Sequence, residues 1–309
     1  MKKVLVISNP YSGKNAKFDC NDVMKEMLYS AGYDPIFIKT KYRGHAEEMA
    51  KNVDGVDLII SDGGDGTLHE VVTGNLKRKE PLMLAHIPTG TTNDVGKLYG
   101  YNNDKISSLI KIINGEEKEV DFFSINNNPF VYVTGAGQFL HIPYSTTKED
   151  KNRFGHLAYI KDGVKAWSEG TKLYPAMYEV DGKKYYEYVS IVLFSNSTRI
   201  AGFNGFYNDD FVKLDDGLFE VMIANINKKQ DLVKAAYKLV TKDIRSADGV
   251  KVFKTDNFRI QFFEPLLHDF CIDGERLNEG KNPTREYNVG ENKKIKMLLP
   301  SINISKLFK

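Results

Sequence analysis

The sequence has few cysteines, no long apolar run and no large excess of either charge. It has only two cysteines, Cys20 and Cys271, in 309 residues, which excludes a disulfide framework and favours a reducing cell interior. No apolar run approaches the roughly 18 residues that a membrane-spanning helix needs, so no such helix is predicted. The formal net charge of +2 is too small to indicate nucleic-acid binding from overall electrostatics. We therefore predict a globular protein of the cytoplasm.

A glycine-rich corner follows the short apolar run at residues 58–60. Residues 61–67, with the sequence SDGGDGT, connect this predicted strand to a predicted helix. The glycines let backbone N–H groups approach a ligand, and the helix N-terminus favours an anion, which predicts a phosphate site. Asp62 and Asp65 would repel a bare phosphate, so a divalent cation, Mg²⁺ by default, is expected with it. The alternative is a plain glycine-rich turn, because short glycine motifs alone are weak signals.

A second corner of the same kind follows the next predicted strand. Residues 82–87 are mostly apolar, and residues 88–94, with the sequence PTGTTND, lead into another predicted helix. Loops that follow consecutive parallel strands lie at the same edge of a sheet. The two corners are therefore expected to lie side by side at the mouth of one cleft.

The spacing of apolar segments predicts two domains. Alternating strands and helices over the first hundred residues indicate a doubly wound α/β sheet with ligands at the strand ends. From about residue 126 the strands alternate apolar and polar residues and become antiparallel in pattern, which predicts a β-sandwich. The predicted boundaries are 1–125 with a C-terminal return at 295–309 for the α/β domain, whose glycine corners predict nucleotide binding, and 126–294 for the β-sandwich.

Three motifs in order resemble those of the diacylglycerol kinase catalytic-domain family. They are the segment 9–14 with the sequence NPYSGK, the segment 63–67 with GGDGT, and the segment 88–94 with PTGTTND. Within the family, the chain is most similar to the soluble bacterial lipid kinases, which include relatives of the sphingosine kinases. The resemblance implies an NAD kinase/diacylglycerol kinase-like fold and an ATP-dependent, Mg²⁺-dependent lipid kinase. It also implies transfer of the γ-phosphate to a lipid hydroxyl, and the preferred expectation is the conversion of diacylglycerol to phosphatidic acid. The active site is expected in a cleft between a catalytic α/β domain and a lipid-binding β-sandwich domain.

The resemblance also implies a set of ligand-binding residues. Those expected to contact the nucleotide are Asn9, Ser12, Gly13, Lys14, Thr40, Gly63, Gly64, Asp65, Gly66, Thr67, Leu68, His69, Gly90, Thr91 and Asn93. Those expected to hold Mg²⁺ with the nucleotide, directly or through its waters, are Asp65, Asp94 and Asp121. A structural Mg²⁺ is expected at Asp216 and the backbone carbonyl of Leu218, with Asp210 or Asp209 as the upstream ligand.

The proton acceptor for the attacking hydroxyl is expected to be a carboxylate, because the proton is accepted late, as charge builds on the oxygen. Read locally, Asp273-Gly274 is a hairpin turn. In the family resemblance the same segment is the general-base segment, which makes Asp273 the first candidate and Glu275 its rival. Asp65 is the third candidate, since sphingosine kinases are thought to use the matching aspartate.

Two competing interpretations remain at this point. NAD kinase shares the GGDGT corner, but its Asn-Glu adenosine motif is not evident, and the second corner fits lipid kinases better. The second competing interpretation is a regulator that binds nucleotide or lipid without catalysis. The presence of all the carboxylates expected for catalysis argues against it. For the partners we expect a lipid substrate met at the membrane surface and no nucleic acid, with a homodimer and the identity of the lipid left open.

Overall fold

The computed structural model of the protein describes residues 1–13, 20–137, 172–200, 202–204, 207, 210–228, 230–231, 234–235, 238, 244–277, 285–301 and 304–309. The chain divides into two compact units. Unit one is Met1–Phe122 with Lys293–Lys309, and unit two is Phe123–Asn292. The predicted helix at 154–167 and the segment 155–159, which resembles a family motif, lie outside the described residues.

Unit one alternates strands and helices along the chain. Its strands are β1 (Lys2–Ser8), β2 (Tyr33–Lys39), β3 (Leu58–Gly63), β4 (Met83–Pro88) and the first part of β5 (Glu116–Ile125). Its helices are α1 (Asn21–Ser30), α2 (His45–Asn52), α3 (Asp65–Leu76), α4 (Asp94–Leu98) and α5 (Lys105–Ile113), with a 3₁₀ turn at Ser305–Leu307. The apolar runs of β1 and β3 are buried, as parallel strands covered on both faces must be.

The order of the strands explains where a ligand would lie. β1 pairs in parallel with both β2 and β3, and β3 pairs in parallel with β4, so the order is β2-β1-β3-β4. The chain runs outward from β1 to β2 and then back across to β3. Right-handed connections place α1 on one face of this sheet, and α2 and α3 on the other. The reversal makes a topological switch point between β1 and β3, which is where such sheets bind ligands.

Unit two is built from antiparallel strands. They are β6 (Asn128–Phe130), β7 (Val133–Gly137), β8 (Tyr174–Val180), β9 (Lys183–Val189), β10 (Ile191–Ser195), β11 (Arg199–Ile200), β12 (Phe203–Asn204), β13 (Phe219–Ala224), β14 (Val250–Thr255), β15 (Phe258–Phe262), β16 (Cys271–Ile272), β17 (Glu275–Arg276) and the first part of β18 (Glu286–Leu299). One sheet has the order β18-β15-β8-β9, and the other has the order β14-β13-β10-β7-β16-β17. A 3₁₀ turn lies at Ile244–Ser246, and residues 230, 231, 234, 235 and 238 are helical.

Aromatic side chains from both sheets of unit two share one core. The ring of Phe194 on β10 lies 5.3 Å from that of Phe258 on β15, and Tyr178 on β8 lies 5.9 Å from Phe253 on β14. Alternate residues of β8 are buried, as expected for a strand with one face on a core. The predicted fold, an α/β domain followed by a β-sandwich, is confirmed.

The strand β18 belongs to both units. Its first residues pair antiparallel with β15, and Met297 near its end pairs in parallel with Leu84 of β4. The chain therefore returns to unit one within a single strand. Among the helices of the described segments, none combines the length and the apolar character needed to cross a bilayer.

Candidate active site

The two glycine corners touch each other. A Cβ atom on Gly90 would lie 2.6 Å from the Cα of Gly64, and one on Gly64 would lie 3.2 Å from the Cα of Gly90. The amide of Thr89 also donates to the carbonyl of Gly63 at 2.8 Å, which joins the ends of β4 and β3. Side chains at these positions would force the loops apart. The close approach of the two backbones therefore explains why both corners have glycine at these positions.

The loop after β1 joins the same place. Gly13 has a φ of +66°, and a Cβ atom there would lie 2.0 Å from the carbonyl oxygen of Thr89. The side-chain amide of Asn9 donates to Oγ1 of Thr67 at 3.0 Å, and its backbone N–H donates to the carbonyl of Asp62 at 2.9 Å. Three loops therefore meet over the carboxyl ends of β1, β3 and β4. Lys14 lies outside the described residues.

Three other predicted nucleotide contacts, Thr40, Leu68 and His69, differ in their position and burial. Thr40 follows β2, and its amide donates to the carbonyl of Ser8 at 2.8 Å, so it lies at the same sheet edge. Leu68 is fully buried and contributes its side chain to the core. The amides of Thr67 and Leu68 donate to the carbonyl of Gly64, at 2.9 and 3.1 Å. His69 lies partly exposed on α3, four residues after the helix begins.

Asp65 connects the two corners. Its carboxylate oxygens accept hydrogen bonds from the backbone amides of Asp94, at 3.0 Å, and Val95, at 3.2 Å, which are the first residues of α4. A carboxylate at a helix N-terminus satisfies amides that have no partner within the helix. Asn93 precedes them with a φ of +52°, and its side chain donates to the carbonyl of Gly90 at 2.9 Å. The PTGTTND turn is therefore fixed by polar side chains.

The predicted metal ligands do not form a metal site by themselves. Asp94 is buried at the start of α4. Asp121 is buried on β5, where the ammonium of Lys294 lies 3.6 Å from its carboxylate. Across the described part of the chain, no group of three or more histidine, cysteine, aspartate or glutamate side chains is arranged to hold a metal ion.

A partly buried ion pair lies at the base of the first glycine corner. Oδ2 of Asp62 lies 2.7 Å from the ammonium of Lys105 and accepts a hydrogen bond from Ser8 Oγ at 2.8 Å. Thr89 Oγ1 lies 3.5 Å from the other oxygen of Asp62. Asp62 is 1% exposed, so its charge is neutralised almost entirely within the protein. Lys105 was not predicted from the sequence, because nothing near it marks a site.

In unit two, Asp273 is the first residue of the turn between β16 and β17, with a φ of +48°. It is buried, and its carboxylate accepts hydrogen bonds from three consecutive backbone amides, those of Val131 at 2.6 Å, Tyr132 at 3.0 Å and Val133 at 3.1 Å. The predicted hairpin turn is present. Glu275 begins β17 and is partly exposed. The carboxylate of Asp273 thus also holds the segment that enters β7.

Comparisons with known proteins agree with this arrangement. Residues 3–125 match the family described as the diacylglycerol kinase catalytic domain. A diacylglycerol kinase of Staphylococcus aureus (strain JH9) is 31% identical over 234 residues, covering 75% of this chain and 73% of that protein. The chain belongs to the diacylglycerol kinase family. A diacylglycerol kinase of Bacillus subtilis (strain 168) is 29% identical over 280 residues, covering 89% of this chain and 90% of that protein.

Solved structures support the fold of this kinase. A putative diacylglycerol kinase from Bacillus anthracis str. Sterne superimposes with a TM-score of 0.78 at 24% identity, over 97% of this chain and 96% of that one. The predicted family and the prediction of a lipid kinase enzyme are confirmed. The two competing interpretations, an NAD kinase and a silent regulator, are not favoured.

At the predicted structural metal site of the kinase, a lysine contacts Asp216. Oδ1 of Asp216 accepts a hydrogen bond from the amide of Leu218 at 3.0 Å, and Oδ2 lies 2.6 Å from the ammonium of Lys254. Asp210 is exposed, and Asp209 lies outside the described residues. Burial raises the pKa of the neighbouring Glu220 carboxyl well above its usual range, although the charge of Lys254 opposes this. The described side chains therefore do not fit a metal ion here.

Proposed function

We propose that this kinase transfers the γ-phosphate of ATP to the hydroxyl of diacylglycerol and so produces phosphatidic acid. The observation that carries the proposal is the meeting of three loops at the switch point of a parallel sheet. A Cβ atom on Gly90 would lie 2.6 Å from the Cα of Gly64, so the loops approach each other through their backbones, and we expect backbone amides to face the phosphates. Relatives that span most of the chain are named diacylglycerol kinase, which supports the acceptor.

The nucleotide is proposed to lie against the predicted set of residues on these loops. The N-terminus of α3, a helix of 12 residues, points its amides at the phosphates. Asp65, with its oxygens bound to α4, holds the two corners at a fixed separation. Mg²⁺ prefers to keep several waters and to bind phosphate oxygens, so we propose that it arrives with ATP and neutralises the phosphates. Asp94 and Asp121 would then contact its waters.

Phosphoryl transfer requires alignment, charge neutralisation and removal of one proton. We propose Asp273 as the acceptor of that proton, with Glu275 in the same hairpin as the rival. The three amides hold the Asp273 carboxylate in one orientation, and a carboxylate has about four acceptor positions in all. A base held in this way needs no rearrangement when the hydroxyl arrives. Because diacylglycerol resides in membranes, the kinase is proposed to act at a membrane surface.

The test is a transfer assay with purified protein and radiolabelled ATP. The acceptors are micelles containing diacylglycerol, monoacylglycerol or a sphingoid base, and NAD in solution. We expect the label to appear in phosphatidic acid, and we expect diacylglycerol to have the highest kcat/KM of the four acceptors. Labelled NADP, or ATP binding without transfer to any acceptor, would contradict the proposal.

A further inference from the structure

Two acidic side chains and one lysine meet at the edge strand of the β-sandwich. Glu220 on β13 and Lys254 on β14 are direct cross-strand neighbours. Glu220 is 0% exposed, and among the described residues no other residue donates a hydrogen bond to either of its carboxylate oxygens. The ammonium of Lys254 lies 3.9 Å from Glu220 Oε1. An ionised carboxylate that is buried without hydrogen bonds is costly, and the positive charge of Lys254 opposes that cost.

The surroundings of Lys254 resemble those of a bound metal ion in their chemistry. Its ammonium lies 2.6 Å from Asp216 Oδ2 and donates to the carbonyl of Phe211 at 2.7 Å. It also lies 5.7 Å from the centre of the Phe211 ring. Two carboxylates and a backbone carbonyl are the donors that a hard divalent cation takes in proteins. Here the same donors surround an ammonium.

We propose that the ammonium of Lys254 takes the position of a divalent cation at Asp216, so that unit two is stabilised there without metal. Both oxygens of Asp216 are engaged, one by Lys254 and one by the amide of Leu218. A divalent ion at this place would have to displace the ammonium or be repelled by it. The guanidinium of Arg245 lies 4.9 Å from the centre of the same Phe211 ring and adds a second positive charge near that ring.

Lys254 is held more tightly than an ordinary surface lysine. Its side chain is 18% exposed, and that of Asp216 is 4% exposed. By contrast, Lys251 on the same strand is 49% exposed and pairs with Glu187 at 2.7 Å. Exposed pairs of that kind contribute little to stability, whereas breaking a buried pair leaves an uncompensated charge. Lys251 therefore provides a matched control for Lys254.

The experiment is thermal unfolding of the full-length protein without nucleotide, in excess EDTA and in excess MgCl₂. We expect the Tm of the wild type to be the same in both. Lys254→Ala should lower the Tm in EDTA by about 5 to 10 °C and regain part of the loss in MgCl₂. The regain should vanish when Asp216→Asn is added, and Lys251→Ala should shift the Tm by less than about 2 °C in either solution.

Three results would overturn the proposal. One is a wild-type Tm that rises in MgCl₂ and ceases to do so in Asp216→Asn, because the native site would then hold the metal. Another is a Lys254→Ala protein with an unchanged Tm in EDTA. The third is a Lys254→Ala protein whose Tm is lowered equally in EDTA and in MgCl₂. Lys254 and Asp216 would then form an ordinary ion pair at a place that does not bind a metal ion. If Lys254→Ala does not fold, the wild type and Asp216→Asn decide the question alone.

Discussion

The ammonium of Lys105 lies 2.7 Å from Oδ2 of Asp62, which is near the end of β3 and directly precedes the glycines of the first corner. The same oxygen accepts a hydrogen bond from Ser8, the last residue of β1. The two strands flank the switch point of the sheet. The ion pair therefore supports the base of two of the loops that we propose for nucleotide binding.

Lys105→Met is expected to lower the free energy of unfolding by about 3 kcal/mol, because Asp62 would remain buried with its charge uncompensated. The measurement is equilibrium unfolding in urea. The KM for ATP should rise as well, since the glycine corner loses its support. The side chain of Lys105 is 20% exposed, so water recovers part of the loss.

Two controls separate this effect from the general loss of a lysine. Lys77→Met removes an exposed pair with Glu47 and should change the free energy of unfolding by less than about 1 kcal/mol. Adding Asp62→Asn to Lys105→Met removes both charges and should restore part of the stability. A Lys105→Met protein as stable as the wild type would show that Asp62 does not depend on this partner.

Gly90→Ala tests the contact between the corners. The added Cβ would lie 2.6 Å from the Cα of Gly64, and backbone cannot yield as a flexible side chain does. A displacement of about 1 Å should lower kcat/KM for ATP by about 10- to 100-fold. The control is Gly55→Asn, where a Cβ would meet nothing within 4 Å and the φ of +69° lies in the left-handed region that asparagine adopts more readily than most residues, so we expect a stability cost without a loss of kcat/KM. Equal activity of the Gly90 variant and the control would show that the corners can separate without cost.

The meeting of the corners was predictable because it follows from chain order. Strands that alternate with helices pair in parallel, and their carboxyl ends share an edge, so two glycine motifs after β3 and β4 had to be neighbours. The place of Asp65 was predictable for the same reason, but its partners were not. Its bonds to the amides of Asp94 and Val95 depend on how α4 starts, and the sequence does not determine that angle.

The two partly buried lysines could not be found from the sequence. Lys105 and Lys254 lie in segments with no glycine motif and no cluster of acidic residues. Their partners are 43 and 38 residues away along the chain, so only the packing of the sheet brings them together. A single charged residue in a sequence is usually exposed. The family resemblance predicted a metal at Asp216, and we propose that the ammonium of Lys254 takes its place.

Asp273→Asn is expected to lower kcat for lipid phosphorylation by at least about 100-fold while the affinity for ATP changes little. The nearby Glu275→Gln should keep kcat within about tenfold of the wild type. The measurement is the transfer assay with diacylglycerol micelles, with ATP binding measured separately by calorimetry. Near wild-type turnover in Asp273→Asn would place the base elsewhere, and a loss confined to Glu275→Gln would move the assignment there.

Because Asp273 also binds three amides, its variant needs a structural readout. An asparagine presents an NH₂ group to one of these donors, so the segment entering β7 should loosen and the Tm should fall by several degrees. Asp273→Glu retains the charge and the acceptor atoms. If Asp273→Glu restores the Tm but not kcat, the position of the carboxylate is needed for transfer. If both variants lose Tm and kcat in proportion, the residue acts only by holding the segment.

His86 makes the stability of unit one depend on pH. It is fully buried on β4, with Nδ1 3.1 Å from the carbonyl oxygen of Ser61, and burial lowers the pKa of the imidazole from 6.5 to about 4. As the pH falls below 6.5, the unfolded chain takes up a proton that the folded protein does not. The contribution is therefore complete above pH 6.5 and is lost as the pH falls to about 4.

Over that range, the free energy of unfolding should decrease by about 3 kcal/mol on account of His86 alone. His86→Gln keeps a polar side chain at the position but does not titrate, so it should lack this part of the decrease. The measurement is urea unfolding of both proteins at several pH values between 7 and 4. Carboxylates titrate alike in the two proteins, so the difference between the curves isolates the histidine. Parallel curves would mean that His86 is protonated equally in the folded and unfolded states, which its complete burial makes unfavourable.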